Sequence, residues 1–329
     1  MGDVARLAGV SASTVSHVLN STRRVDASTR LRVEAAIEKT GYRRNVVARS
    51  LAAGRTHTVG LSISALTNPY FGGLVHALER ALSDAGYVLV VGDSHDDVDS
   101  EKRVTGSLLD RQVDGMIVAP AAGSERVTLP VITRAGTPLV LIDRGVDLGC
   151  DQVGPENLVS AKSLTEHLLD LGHHRIAAVR GLAGISSTTE RFDGYAEALA
   201  DRGIAVDPAL VVDGESNTDA AEREVYALMS RPDRPTALVS LNNAMTIGTL
   251  KALRSLGLAI PGDVAFVCYD DFEWSDLFEP KLTAAAQDVV TIGATAVELL
   301  LARIRGSDAE PQRIRVPTSF HHRTSCGCT

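Results

Sequence analysis

Between Asp3 and Asn20 the chain reads Asp-Val-Ala-Arg-Leu-Ala-Gly-Val-Ser-Ala-Ser-Thr-Val-Ser-His-Val-Leu-Asn, and few folds accept that stretch. Val4, Ala5 and Ala8 share one helical face, and Val15, Val18 and Leu19 share another. Gly9 between them can take the left-handed conformation that ends a helix at a tight turn. Ser11 then offers its hydroxyl as N-cap of the next helix. The small side chains of Ala5 and Ala8 let the two helices approach closely. This is helix-turn-helix geometry, whose second helix suits a DNA major groove. An amphipathic pair packing only on its own protein is the bland alternative.

A third helix is expected from about Ser28 to Thr40, with Leu31, Val33, Ala36 and Ile37 as its apolar stripe and Gly41 closing it. A domain of ~45 residues has a small core and marginal stability. Helix two would project Ala12, Ser13, Ser16 and His17 outward, where short polar groups reach phosphates or base edges. Charge supports that direction. Residues 1–56 hold ten Arg/Lys against four acids, +6, while the whole chain carries -8, which leaves -14 elsewhere. A basic head on an acidic body is the footprint of a polyanion binder; a merely solvated basic surface is the alternative.

Residues Asn45–Gly54 form a short helical pattern of under three turns, barely stable alone; a flexible linker is the lesser alternative. After Arg55 short apolar strands alternate with helices. Strands are expected at Val59–Ile63, Tyr87–Val91, Gly115–Ala119 and Leu139–Ile142, with helices from near Tyr70, Ser100 and Glu125. A second set follows at Arg175–Val179, Leu210–Val212, Ala237–Leu241 and Val264–Cys268, with helices from near Asn157, Thr188, Thr218 and Asn243. Such βα alternation argues for two parallel sheets in two similar lobes, and ligands bind beyond the carboxyl ends of such strands. The polar residues there are Asn68, Tyr70 and Phe71, Asp93, Asp143-Arg144, Arg191, Asn242-Asn243 and Asp270-Asp271. Carboxylates, amides and an arginine converging with two aromatics describe a binder of a polar, hydroxylated or heterocyclic molecule. The bland readings are a turn cap for Asp270-Asp271, core packing for Tyr70 and Phe71, and an Arg191–Asp270 ion pair.

No G-x-S-x-G, Walker A or H-E-x-x-H is present, so an enzyme is the lesser hypothesis. The carboxylates of Gly92–Asp97 lack EF-hand spacing, and His173-His174 project apart as a poor ligand pair. Four cysteines are too few for a disulfide scaffold. Cys326 and Cys328 end the chain as a CxC pair after His321 and His322, but that spacing matches no familiar structural zinc site. No metal or cofactor is expected. The longest apolar runs are far short of a membrane span, and no export signal is found at the start, so the cytoplasm is expected.

Residues 3–54 resemble the headpiece of the lactose-repressor/galactose-repressor (LacI/GalR) family through DVARLAGVS, STVS, VLN, TRLRV, GYRRN and ARSLAAGRT. The body is similar to the type I periplasmic-binding-protein fold of that family through QVDGMIVAP, LVLIDR, HLLDLGHHRIA, ERFDGY and YDD. The resemblance implies an all-α helix-turn-helix headpiece at 1–45, a hinge helix and linker at 46–57 and a two-lobed α/β effector domain at 58–329. The first lobe would span about 58–156 and 287–317, the second about 157–286 and 318–329. It implies a repressor that binds a palindromic operator in double-stranded DNA as a homodimer, without catalysis, under control of a small metabolite, a sugar or a nucleoside-like molecule.

On the same grounds the DNA-contacting residues are Ser11, Ala12, Ser13, Thr14, Ser16, His17, Asn20 and Arg30, with Asn45, Ala48, Arg49 and Leu51 from the hinge, where Leu51 would wedge into a minor-groove step. The effector residues are Tyr70, Phe71, Asp143, Arg191, Ser216, Asn242 and Asp270. The chain departs from the family at His17, where an arginine usually reads a guanine bidentately; histidine cannot make that fork, a change of ~1–3 kcal/mol in discrimination. Ser216 replaces an aromatic, Asn243 an aspartate and Ser160 a glycine. Met1-Gly2 stands in place of residues that include a threonine cap, so either the start lies elsewhere or the first helix lacks a phosphate contact.

Overall fold

A computed structural model describes residues 1–20, 23–42, 55–66, 68–277 and 279–328, without the Asn20 side chain. Asn45, Ala48, Arg49 and Leu51 lie outside the described residues. The chain divides into two compact units, residues 1–56 and 57–329.

In the first unit, α1 (Gly2–Ala8) has no side-chain cap at its start and ends at Gly9 with φ 63°, left-handed. Helix α2 (Ala12–Asn20) starts from Ser11, whose Oγ accepts from the Thr14 N–H at 3.1 Å. Helix α3 (Ala27–Thr40) is capped by Asp26, which accepts from the Thr29 N–H at 2.9 Å. Val4, Ala5, Ala8, Val15, Val18, Val33 and Ala36 form the core. Leu31 is not part of it: its side chain is 66% exposed. Two residues before Val33 on a helix is about 200° around the axis, so Leu31 turns outward when Val33 and Ala36 turn in.

The second unit opens with β1 (Thr58–Ile63), α4 (Pro69–Asp84), β2 (Val88–Asp93), α5 (Val98–Asp110), β3 (Gly115–Val118), α6 (Ser124–Val127), α7 (Leu129–Arg134), β4 (Leu139–Ile142) and β5 (Asp151–Pro155). The chain then crosses to α8 (Leu158–Asp170), β6 (Ile176–Arg180), α9 (Ser186–Asp201), β7 (Val211–Asp213), α10 (Thr218–Met229), β8 (Ala237–Ser240), α11 (Asn243–Ser255), β9 (Ala265–Tyr269) and β10 (Thr283–Gln287). It returns for α12 (Val289–Ile304) and β11 (Arg313–Val316) and crosses once more to β12 (Thr318–His321).

The sheets run β11-β5-β4-β3-β1-β2 in the N-lobe and β12-β10-β9-β8-β6-β7 in the C-lobe. Both are parallel except that β12 pairs antiparallel with β10. Each repeats the doubly wound order 2-1-3-4-5, a topology that opens a crevice at the carboxyl ends of its strands. Strands β3, β4 and β5 are buried throughout, as expected of parallel strands covered on both faces. Among the described residues no helix is long and apolar enough to cross a membrane.

Candidate functional site

Along α2, Ser11, Ala12 and Ser13 are exposed, Thr14, Ser16 and His17 are half-buried, and Arg30 on α3 is exposed. Ser11 spends its hydroxyl on the cap and on the Ser13 and Thr14 hydroxyls at 2.7 and 2.8 Å, which stiffens the entry of α2.

In the second unit a cleft between the lobes brings together all seven residues expected at an effector site: Tyr70, Phe71, Asp143, Arg191, Ser216, Asn242 and Asp270. Asn68 caps α4, accepting from the Tyr70 N–H at 3.1 Å, and so delivers Tyr70 and Phe71 at the helix start. Asp143 follows β4 directly and Asp270 follows β9 directly, both left-handed (φ 65° and 78°). Aspartate tolerates that region better than most residues, and the kink turns each carboxylate back across the strand ends.

The N-lobe wall is built on a polar network around Arg144. Arg144 donates to Asp143 at 3.1 Å, to the Ser64 hydroxyl at 2.9 Å, to the Pro120 carbonyl at 3.3 Å and to Asp96. Burial opposes its charge, but Asp96 and Asp143 outweigh that and hold the guanidinium pKa above its usual value. The Tyr70 hydroxyl is buried and faces Asp143 without closing a hydrogen bond of ordinary geometry; burial, Asp143 and Asp270 push its pKa well up. Phe71 packs edge-on to Tyr70 at 5.0 Å and is also part of the N-lobe core.

The C-lobe wall is more open in its bonding. Arg191 donates to Asn157 Oδ1 at 2.8 Å and the Leu241 carbonyl at 2.9 Å, and its guanidinium lies 3.7 Å over the Tyr269 ring. The Tyr269 hydroxyl in turn donates to the Glu156 carbonyl at 2.8 Å. Asp270 accepts from the Asn243 N–H at 3.0 Å and from Gln287 Nε2 at 2.5 Å. Burial raises its pKa despite Arg191 nearby. Asn242 caps α11 through the Met245 N–H at 2.9 Å, which leaves its amide donors free of that duty. Ser216 accepts from the Leu182 N–H at 3.0 Å.

Gln287 and Asp96 also line the cleft and escaped sequence reasoning. Two other candidates serve elsewhere. Asp93 spends its carboxylate on the backbone N–H groups of Ala65, Leu66 and His95. Asp271 pairs with Arg323 and His321 outside the cleft. Buried polar atoms lacking a partner include Tyr70 Oη and Gln287 Oε1 in the cleft, and both Asn243 amide atoms next to it. Such groups take a polar partner, ordered water or a ligand. The cleft encloses about 40 Å³, far below the roughly 300–1,000 Å³ of small-molecule sites.

Residues 1–45 match the family described as bacterial regulatory proteins, lacI family, and residues 165–326 match the periplasmic binding protein-like domain. The ribose operon repressor of Escherichia coli is 33% identical over 327 residues, 99% of each chain. The HTH-type transcriptional repressor PurR of Aliivibrio salmonicida is 32% identical over 309 residues, 94% of this chain and 93% of that protein. Among solved structures, the lac repressor dimer bound to operator and an anti-inducer superposes with TM-score 0.88 at 28% identity, covering 98% of each chain.

Proposed function

Because this chain belongs to the lacI family and is a DNA-binding transcriptional repressor of that family, we propose that it holds a two-fold symmetric operator as a homodimer and that its cleft takes a sugar whose binding alters that hold. Residues 1–45 read the operator, residues 46–57 form the hinge and residues 58–329 bind the effector and pair the protomers, in the cytoplasm where the chromosome lies. The DNA-facing set is Ser11, Ala12, Ser13, Thr14, Ser16, His17, Asn20 and Arg30, joined by Asn45, Ala48, Arg49 and Leu51.

One observation carries the sugar reading. Two buried aspartates, Asp143 and Asp270, converge with Arg191, Asn242 and the unpartnered Tyr70 hydroxyl, a donor–acceptor set suited to several ligand hydroxyls. The aromatic residues lining the cleft, Tyr70 and Phe71, pack on each other edge-on, at 61° between planes. They offer no pair of parallel faces for a flat base. The ribose operon repressor among the relatives points the same way. A purine or nucleoside is the second reading, favoured by the flat Arg191 guanidinium stacked on Tyr269. Pairing of two copies is supported by the likeness to the lac repressor dimer, which covers 98% of each chain.

A thermal-shift screen against pentoses, hexoses, disaccharides, nucleosides and purines tests the ligand. Gel shifts on a palindrome with a central CG step test the operator, with and without the hit. A sugar that raises the melting temperature, changes operator affinity and is recovered chemically unchanged is the expected result. Turnover of the ligand would instead mark an enzyme, and full operator binding by Leu51→Ala would remove the wedge.

A further inference from the structure

We propose that His167, His322, Cys326 and Cys328 form a tetrahedral zinc site that fastens the carboxyl-terminal segment to α8 in the C-lobe. The four donor atoms all lie within 4.8 Å of one another. Cys326 Sγ is 3.1 Å from Cys328 Sγ and 3.7 Å from His322 Nε2, while Cys328 Sγ is 3.3 Å from His167 Nε2. Zinc bonds of ~2.3 Å to sulfur and ~2.0–2.1 Å to nitrogen, at tetrahedral angles, separate such donors by roughly 3.3–3.8 Å. The cluster is already near that size. The two imidazoles stand edge to face, centroids 5.0 Å apart at 84°, so their ring nitrogens approach one point without the rings colliding.

The scaffold is built from three directions. His167 sits in the last turn of α8, and His322 directly follows β12. Gly327 between the cysteines takes φ 88°, a left-handed turn that suits glycine and brings both thiols to one side. Ser325 anchors this turn: its hydroxyl donates to the Phe266 carbonyl at 2.7 Å and accepts from the Thr283 N–H at 2.8 Å. Arg323 adds ion pairs to Asp271 and Asp276. The Thr283 hydroxyl accepts from the Arg323 N–H at 3.0 Å and donates to Cys326 Sγ at 3.3 Å. That is the outer-shell support a metal-bound thiolate uses.

Two thiolates and two imidazoles select zinc over magnesium or calcium, and four protein ligands leave no open position, so the role is structural. Binding releases the two thiol protons to solvent; the proton on Cys326 has the Arg323 carbonyl, 3.2 Å away, as its acceptor until then. The site lies outside the effector cleft, and its test uses no operator.

Full-length protein purified without a polyhistidine tag, under reducing conditions, is loaded with zinc, desalted and measured by elemental mass spectrometry. The expected result is close to one zinc per chain. Cys328→Ser and His322→Ala should each retain at least roughly tenfold less; the exposed His322 side chain makes the second variant safe for folding. Cobalt-loaded protein should show the intense visible bands of a tetrahedral thiolate complex, and Cys328→Ser should lose them. Protein that retains no zinc, zinc retained equally by both variants, a six-coordinate cobalt spectrum, or a Cys326–Cys328 disulfide that persists in reductant each overturns the site.

Discussion

The two lobes place an aspartate at the same point of the same topology, and they treat it differently. Asp143 follows the fourth strand of the N-lobe and Asp270 the fourth strand of the C-lobe; both are left-handed and nearly fully buried. Asp143 has a cation as its sequence neighbour, Arg144, which is itself bound to Asp96 and Ser64. Among the described residues Asp270 is bonded to neutral donors, the Asn243 N–H and Gln287, with Arg191 near it. A buried carboxylate without a bonded cation keeps an electrostatic demand that a ligand's donors can meet. On the N-lobe wall the Asp143 carboxylate is thus bonded to a cation, which leaves the Tyr70 hydroxyl open there, whereas on the C-lobe wall the Asp270 carboxylate is the group a ligand's donors are expected to change the most.

The largest effect that would break this contrast is on Arg144. Arg144→Ala strands two carboxylates and should lower unfolding free energy by about 3–5 kcal/mol, read from urea titration. A loss under 1 kcal/mol would mean the network is not what holds the N-lobe wall. Next comes Asp270→Ala, expected to weaken effector binding by about 2–3 kcal/mol, roughly 30- to 150-fold, with ligand-free operator binding unchanged. Calorimetry and gel shift check the two halves, and an equal loss from a variant far from the cleft would erase the distinction.

Acidity sharpens the contrast further. Burial raises the Asp270 pKa. A ligand hydroxyl that donates to the carboxylate favours its ionised form, so the pKa drops on binding. Effector affinity should then fall as pH is lowered through a midpoint above the ~3.9 of a free aspartate, and Asp270→Asn should flatten that limb. The smallest effect is at Asn68, whose side chain caps α4: Asn68→Ala should cost about 1 kcal/mol of stability in thermal melts. Effector affinity there should move less than in Asp270→Ala.

What could be read from the chain beforehand follows from how local each cause is. The turn at Gly9, the cap at Ser11 and the residues after each strand are consequences of neighbours in sequence, and those features emerge in place. Leu31 departs from the expected stripe because its angle around α3, and not its hydrophobicity, decides which face it joins. Strand β10, Thr-Ala-Ala-Ala-Gln, has no β-branched run, and β11, Arg-Ile-Arg-Val, alternates with charge; β10 forms between β9 and β12, and β11 on the open edge of β5, so pairing with distant strands and not local pattern makes them. Gln287 enters the cleft from such a crossing, so the rule of looking after strand-and-helix units passes over it. Asp96 was hidden among the carboxylates of Gly92–Asp97 until its left-handed turn aimed it at Arg144. His167 stands on a helix far upstream of the tail that ends in Cys326 and Cys328, and only the packing of β12 beside α8 brings them together.

The phenol of Tyr269 acts as a tie rod. Its ring carries the guanidinium of Arg191, and its oxygen is bonded to the carbonyl of Glu156, the residue where the chain first passes between lobes and whose own N–H is bonded to Val316 at the third passage. Through these contacts Arg191 is connected to two of the three segments that join the halves. The first crossing between the lobes and the Arg191 side of the cleft are thus joined twice, through Tyr269 and through the direct bond from Arg191 to Asn157.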